Sequence, residues 1–94
     1  MKILKMNKYG SVLTGREFGK DTMEKIAKNI AYPVCLDFEG VNSLGSSFAD
    51  EVLIPIARNQ GNKITVINVK IAVWDCIQDV AIDGKIEILK KEDN

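Results

Sequence analysis

The stretch with most capacity for chemistry is Leu36-Asp37-Phe38-Glu39-Gly40-Val41-Asn42-Ser43-Leu44-Gly45-Ser46-Ser47-Phe48-Ala49-Asp50. An apolar run ends in an acid, a polar loop follows, and Ser46 and Ser47 meet the start of an amphipathic segment. The first turn of a helix carries free N–H groups and a partial positive charge, which suits an anion. A phosphate on a serine there would add about −1.5 to −2 charges. Those N–H groups would hold it, or it would repel an acidic partner on the same surface. Either outcome is a switch. Serine is also among the preferred N-cap residues, so from spacing alone the pair reads first as helix punctuation and second as a regulated site.

Other chemistry-bearing residues are sparser. Asp37, at a strand end, reads as a structural acid bonded to nearby loop N–H groups, with a functional acid as the alternative. Arg16, in the first turn of an earlier helix, runs against the dipole preference. It reads as solvated, or as holding an acidic group from a partner, Asp37 or Asp50. Asp75, Asp79 and Asp83 recur along one helix face and read as solvated. Trp74 beside them reads as core or as an interface anchor. Gly10, Gly15 and Gly19 are too spread out for a phosphate-binding loop.

What is missing narrows the chemistry further. The chain has no histidine. That removes Ser-His-Asp and Cys-His catalysis and every His-containing metal site. Cys35 and Cys76 are too far apart for a redox pair and too few for zinc, and read as two buried thiols in a reducing compartment. No metal and no cofactor is expected. The 13 basic and 13 acidic residues cancel. Nucleic-acid binding runs on excess Lys and Arg, so it is not expected. No apolar run approaches the roughly 18–20 residues of a membrane span. The expected location is cytoplasmic.

These residues must be positioned by a small scaffold. The 94 residues suit one domain, with residues 90–94 frayed. Residues 2–6 read as a strand, residues 7–10 as a turn, and residues 11–13 as a brief pairing or lead-in. Thr14 and Glu17 form a capping-box pattern before a helix over about 15–30. Its apolar positions include Phe18, Thr22, Met23, Ile26 and Ile30, and Pro33 fences it off. Residues 33–38 read as a strand covered on both faces, and residues 39–45 as a loop. A second helix starts near Ser46 or Ser47, with Ser47 and Asp50 as a weaker capping pair. Pro55 predicts a kink or break in it. Gly61 is the expected left-handed residue after its end. Residues 63–69 form the strongest strand pattern, residues 71–82 a third helix, 83–85 a turn, and 86–89 a last strand. The order is β-α-β-α-β-α-β: an α/β fold with a mostly parallel four-stranded sheet and helices packed on it. An edge strand could run antiparallel.

Leu36 to Val41 followed by Ser46-Ser47-Phe48-Ala49-Asp50 resembles the STAS-like domain family of unknown function, small domains related to STAS anti-sigma-factor antagonists. Leu13-Thr14-Gly15-Arg16-Glu17-Phe18-Gly19 resembles the same family's lead into its first helix. Together these motifs cover about residues 10–55. The resemblance implies a regulatory, protein-binding module. In the antagonists the first serine of an Asp-Ser-Ser-Gly motif at a helix start is phosphorylated by a kinase of the histidine-kinase-like ATPase fold. By position, Ser46 matches that serine and Ser47 its neighbour. Gly45 stands where the antagonists carry Asp, and Phe48 where they carry Gly.

The expected function is therefore docking onto a histidine-kinase-like ATPase or anti-sigma factor. The surface would comprise Gly40, Asn42, Ser43, Gly45, Ser46, Ser47, Asp50 and Arg16, with Ser46 or Ser47 as phosphoacceptor. A homo-oligomeric or small-ligand-binding module is the alternative. An enzyme built on carboxylates or lysines ranks below both, because no histidine can activate a serine.

Overall fold

The computed structural model describes residues 1–91. Four strands form the main sheet: β1 (Lys2–Lys5), β3 (Val34–Asp37), β5 (Lys63–Ile67) and β6 (Glu87–Lys90). They lie in that spatial order, and all are parallel. No edge strand is reversed. Parallel neighbours need crossovers, supplied by α1 (Arg16–Asn29), α2 (Ser46–Arg58) and α3 (Ile71–Gly84). Two further strands, β2 (Val12–Leu13) and β4 (Ser43–Leu44), pair parallel as a separate ribbon. The expected loop over 39–45 therefore contains a strand, and the expected turn over 7–10 is largely a 3-10 helix, Met6–Tyr9.

A strand order that never reverses, with crossovers of one hand, puts all three helices on one side of the sheet, and α2 packs against both α1 and α3. Burial follows that geometry. Val34, Leu36, Ile64 and Val66 point into the core with Phe38, Phe48, Leu53 and Ile56. The alternate residues Ile3, Cys35, Thr65 and Leu89 form one register row on the other face. Ile3 is 58% exposed and Leu89 50%. The expectation of a β3 covered on both faces is corrected. All four of its residues are buried, but helices cover one side only. Its central position in the sheet shields Cys35 and Asp37.

Several local expectations also change. Thr14 and Glu17 form no capping box: α1 starts at Arg16, with Gly15 as N-cap at φ 99° and no side-chain cap. A backbone with that φ suits glycine, so the chain turns at Gly15 rather than at Thr14. Pro55 does not break α2, which is continuous from Ser46 to Arg58. It sits in the last turn, where Asn59 donates to the Pro55 carbonyl from its backbone at 3.2 Å and its side chain at 2.9 Å. Gly61 does adopt positive φ, at 73°. The turn expected at 83–85 is helical through Gly84, and Lys85 takes the left-handed position instead. A Cβ on Gly84 would meet the Ile54 side chain, so this glycine lies where α3 approaches α2. Lys90 belongs to β6, and Lys91 N–H donates to the Val66 carbonyl at 3.0 Å, so neither is frayed. Residues 92–94 lie outside the described residues.

Gln60 joins two strand starts in a way that periodicity does not reveal. Its Oε1 accepts from Val34 N–H at 2.9 Å, and its Nε2 donates to the Val34 and Lys63 carbonyls at 3.2 and 2.8 Å. Gln60→Ala orphans part-buried backbone groups and should cost about 1–3 kcal/mol in urea denaturation. Asn59→Ala, which loses an exposed bond, should stay within about 0.5 kcal/mol.

Both cysteines are free; Cys35 is buried and Cys76 half-buried. Burial pushes both thiols up, with Asp37 adding and Lys91 opposing at Cys35, and Asp79 adding at Cys76. Thiolate is the reactive form. Both should react with Ellman's reagent more slowly than free cysteine, Cys35 slowest, and urea should abolish the difference.

Candidate functional site

β3 ends on Asp37, and the chain must leave the sheet there. The Asp37 side chain, on the face opposite the helices, has a carboxylate oxygen that accepts from Glu39 N–H and from Asn68 Nδ2, both at 2.9 Å. Asn68 follows β5 and holds φ 58°, a conformation asparagine tolerates better than most residues. Phe38 N–H donates to the Ile67 carbonyl at 3.0 Å. The ends of the two central strands are thus tied twice. Val41 N–H then donates to the Phe38 carbonyl at 3.0 Å, closing a turn with Gly40 at φ 83°. That position needs glycine.

The segment after the turn is strapped from two sides. Asn42 and Ser43 N–H both donate to the Ser11 carbonyl, at 2.8 and 3.2 Å, and Gly45 N–H donates to Leu13 at 2.8 Å. Asn42 Oδ1 accepts from Lys70 Nζ, just ahead of α3. Val41 and Leu44 are buried, while Asn42 and Ser43 are exposed. The segment is therefore ordered by the chain's own bonds.

α2 begins at Ser46, with Gly45 as N-cap. Ser46 is exposed and Ser47 half-buried. Neither caps the helix, and the first turn carries no acid. The expected Ser47–Asp50 pair does not form because both residues are already inside the helix. Phe48 is fully buried, with its ring 5.2 Å from that of Phe18. Arg16 donates to Glu51 Oε2 at 2.6 Å and lies 3.5 Å from Asp50 Oδ2. Its guanidinium is held above its ordinary pKa, chiefly by the Glu51 hydrogen bond. Arg16 pairs with Asp50, one of the expected partners, and not with Asp37.

Gly40, Asn42, Ser43 and Gly45 lie in the strapped segment, Ser46, Ser47 and Asp50 in the first turns of α2, and Arg16 at the start of α1 against Asp50 and Glu51. Asp37 lies beneath them, turned toward Asn68. Glu51, Asn68 and Lys70 escaped the sequence reading. The polar break at Asn68 after a β-branched run was the one available signal. Asp75 and Asp79 are exposed on α3, and Trp74 is half-buried with Lys90 Nζ 5.1 Å from its ring centroid. No cluster of three His, Cys, Asp or Glu side chains that could hold a metal occurs among the described residues. No helix among them is long and apolar enough to cross a membrane.

A parallel four-stranded sheet with three helices, carrying a strapped loop ahead of two serines at a helix start, defines a small STAS-like α/β domain. The chain belongs to the family described as the STAS-like domain of unknown function, whose model matches residues 16–74. The match begins at the first residue of α1 and ends inside α3. It includes the whole segment from β3 through β5 and leaves out β1, β2 and β6. No curated protein and no solved structure matches the chain.

Asp37→Ala removes the acceptor shared by Glu39 N–H and Asn68. The expected loss is about 1–3 kcal/mol in chemical denaturation. Asp37→Asn keeps an acceptor oxygen and should lose less.

Proposed function

We propose that this chain is a regulatory protein-binding module that docks through residues 40–50. The favoured partner is a histidine-kinase-like ATPase or an anti-sigma factor, the partner class that the family resemblance implies. The observation that carries this reading is the start of α2: an exposed Ser46 in a first turn with no side-chain cap and no acid. Amide N–H groups there are available to an anion. Ser46 is the preferred phosphoacceptor because Ser47 is half-buried.

Two further observations support docking. The loop is held by Ser11, Leu13 and Lys70, so a partner pays little to order it. Val12, opposite Ser43 in the ribbon, is 54% exposed, and Phe18, against Phe48, is 38% exposed. They offer apolar area beside the polar loop.

Phosphate on Ser46 would place a second negative charge one helical turn from Asp50, whose neighbour Arg16 is already shared with Glu51. An acidic partner would be repelled, and a basic one drawn in. The same reading makes the chain a binder rather than an enzyme.

The test begins with the partner recovered from native cells and identified by mass spectrometry, with phosphate mapped on the serines. Ser46→Asp should shift its affinity by more than tenfold, or about 1.4 kcal/mol, in calorimetry. Ser47→Asp should instead lower stability, since it places a charge in a half-buried position. Unchanged affinity in Ser46→Asp would remove the switch and leave a constitutive docking surface.

A further inference from the structure

A cleft lined by none of residues 40–50 lies at the edge of the sheet. β1 is an edge strand, and the cleft, of about 300 Å³, runs between it and the C-terminal half of α1. That volume is at the lower end for small-molecule sites. Its floor is apolar: Leu4, Ile26, Ile30 and Val34. Ile26 and Val34 are each only 2% exposed, so the floor reaches the core.

The walls carry one sign of charge. Lys2, Lys8 and Lys25 line the cleft, and among the described residues no carboxylate does. In a chain of 13 basic and 13 acidic residues, that is a local asymmetry. Among the described residues, none of these lysines forms an ion pair. By contrast, the shallow cleft between α1 and α2 mixes Lys20 with Glu24 and Glu51. Tyr9 and Asn29 add neutral polar groups to the lysine cleft.

The backbone contributes as well. Lys2 N–H donates to the Pro33 carbonyl at 3.1 Å, so Lys2 and Leu4 take the inward phase of the ladder. The N–H of Ile3 is then turned to the open edge of the strand. One rim of the cleft thus offers a backbone donor beside ammonium groups.

We propose that this cleft binds a small organic anion, a carboxylate, sulfonate or phosphate carried on a flat apolar body. The body rests on Leu4, Ile26, Ile30 and Val34, and the anionic group meets Lys8 and Lys25 at the rim. The proposal is independent of phosphorylation at Ser46.

The probe is 8-anilinonaphthalene-1-sulfonate, titrated into the full chain and followed by fluorescence and by amide NMR shifts. One saturable site is expected, with shifts confined to Ile3, Tyr9, Lys25, Asn29, Ile30 and their neighbours. The double variant Lys8→Gln with Lys25→Gln should bind at least tenfold more weakly. Both lysines are exposed, so its melting temperature should be unchanged. Affinity should fall as salt rises from about 50 to about 300 mM. The uncharged 1-anilinonaphthalene should bind at least tenfold more weakly than the sulfonate. Shifts on the sheet face opposite the helices, around Cys35, or equal affinity in the double variant, would overturn the proposal. So would an acidic peptide that pairs with β1 where the sulfonate does not bind, because the edge would then be a strand-addition site.

Discussion

Gly19 has no side chain where α1 crosses α2, and an added Cβ would stand 2.9 Å from Glu51 Cβ and 3.1 Å from the Phe48 backbone. A glycine inside a helix costs about 1 kcal/mol relative to alanine. The close approach offsets that cost by letting two helices share one thin core. It also fixes the rest of the α2 start. Phe18 meets Phe48 only because the axes are this near, and Arg16 reaches Glu51 for the same reason. The position of Ser46 is therefore set from α1, by packing, before any chemistry is considered.

The second constraint is the all-parallel sheet. Parallel strands end together, so the chain leaves β3 and β5 at one edge. Asp37 and Asn68 tie those exits, and the Lys70 ammonium reaches back to Asn42. The ribbon of β2 and β4 then holds the loop against the lead into α1. Three crossings of the chain converge there through hydrogen bonds, with Leu13, Val41 and Leu44 buried beneath them. Such a surface can stay polar and still be ordered, which suits reversible association. Among the described residues no helix covers the opposite sheet face, where the row Ile3, Cys35, Thr65 and Leu89 crosses all four strands, exposed at Ile3 and Leu89 and buried at Cys35 and Thr65.

Much of this was legible in advance where burial imposes a period. The helical spacing of Phe48, Val52, Leu53 and Ile56 marks a face that is buried throughout. The β-branched run from Ile64 to Ile67 marks a central strand. Where a residue's role depends on what crosses it, local pattern was silent. Gly19 and Gly84 look like helix breakers but are contact points for Glu51 and Ile54. Thr14 fits a capping box by spacing, yet Gly15 turns the chain one residue later. Arg16 had several plausible carboxylates, and only the crossing of α1 over α2 selects Glu51. A two-residue pairing such as Val12 with Ser43 is too short to leave a periodic signal. At the serine site, the sequence located the helix start and the acid before it, but not the bonds that strap the loop.

The two departures from the Asp-Ser-Ser-Gly pattern have a physical basis in this packing. At Gly45 an added Cβ would lie 3.1 Å from Thr14 Cγ2 and 3.2 Å from Thr14 Cβ. An aspartate there would press on Thr14, next to Leu13, whose carbonyl accepts Gly45 N–H. Phe48 supplies a fully buried ring, and emptying that position would cost about 3–5 kcal/mol. Gly45 and Phe48 are thus set by the contacts of Thr14 and Phe18, two residues that precede β3 by many positions. Between them Ser46 is exposed and Ser47 half-buried. Packing therefore shapes the residues on either side of the serine pair and leaves the Ser46 side chain at the surface.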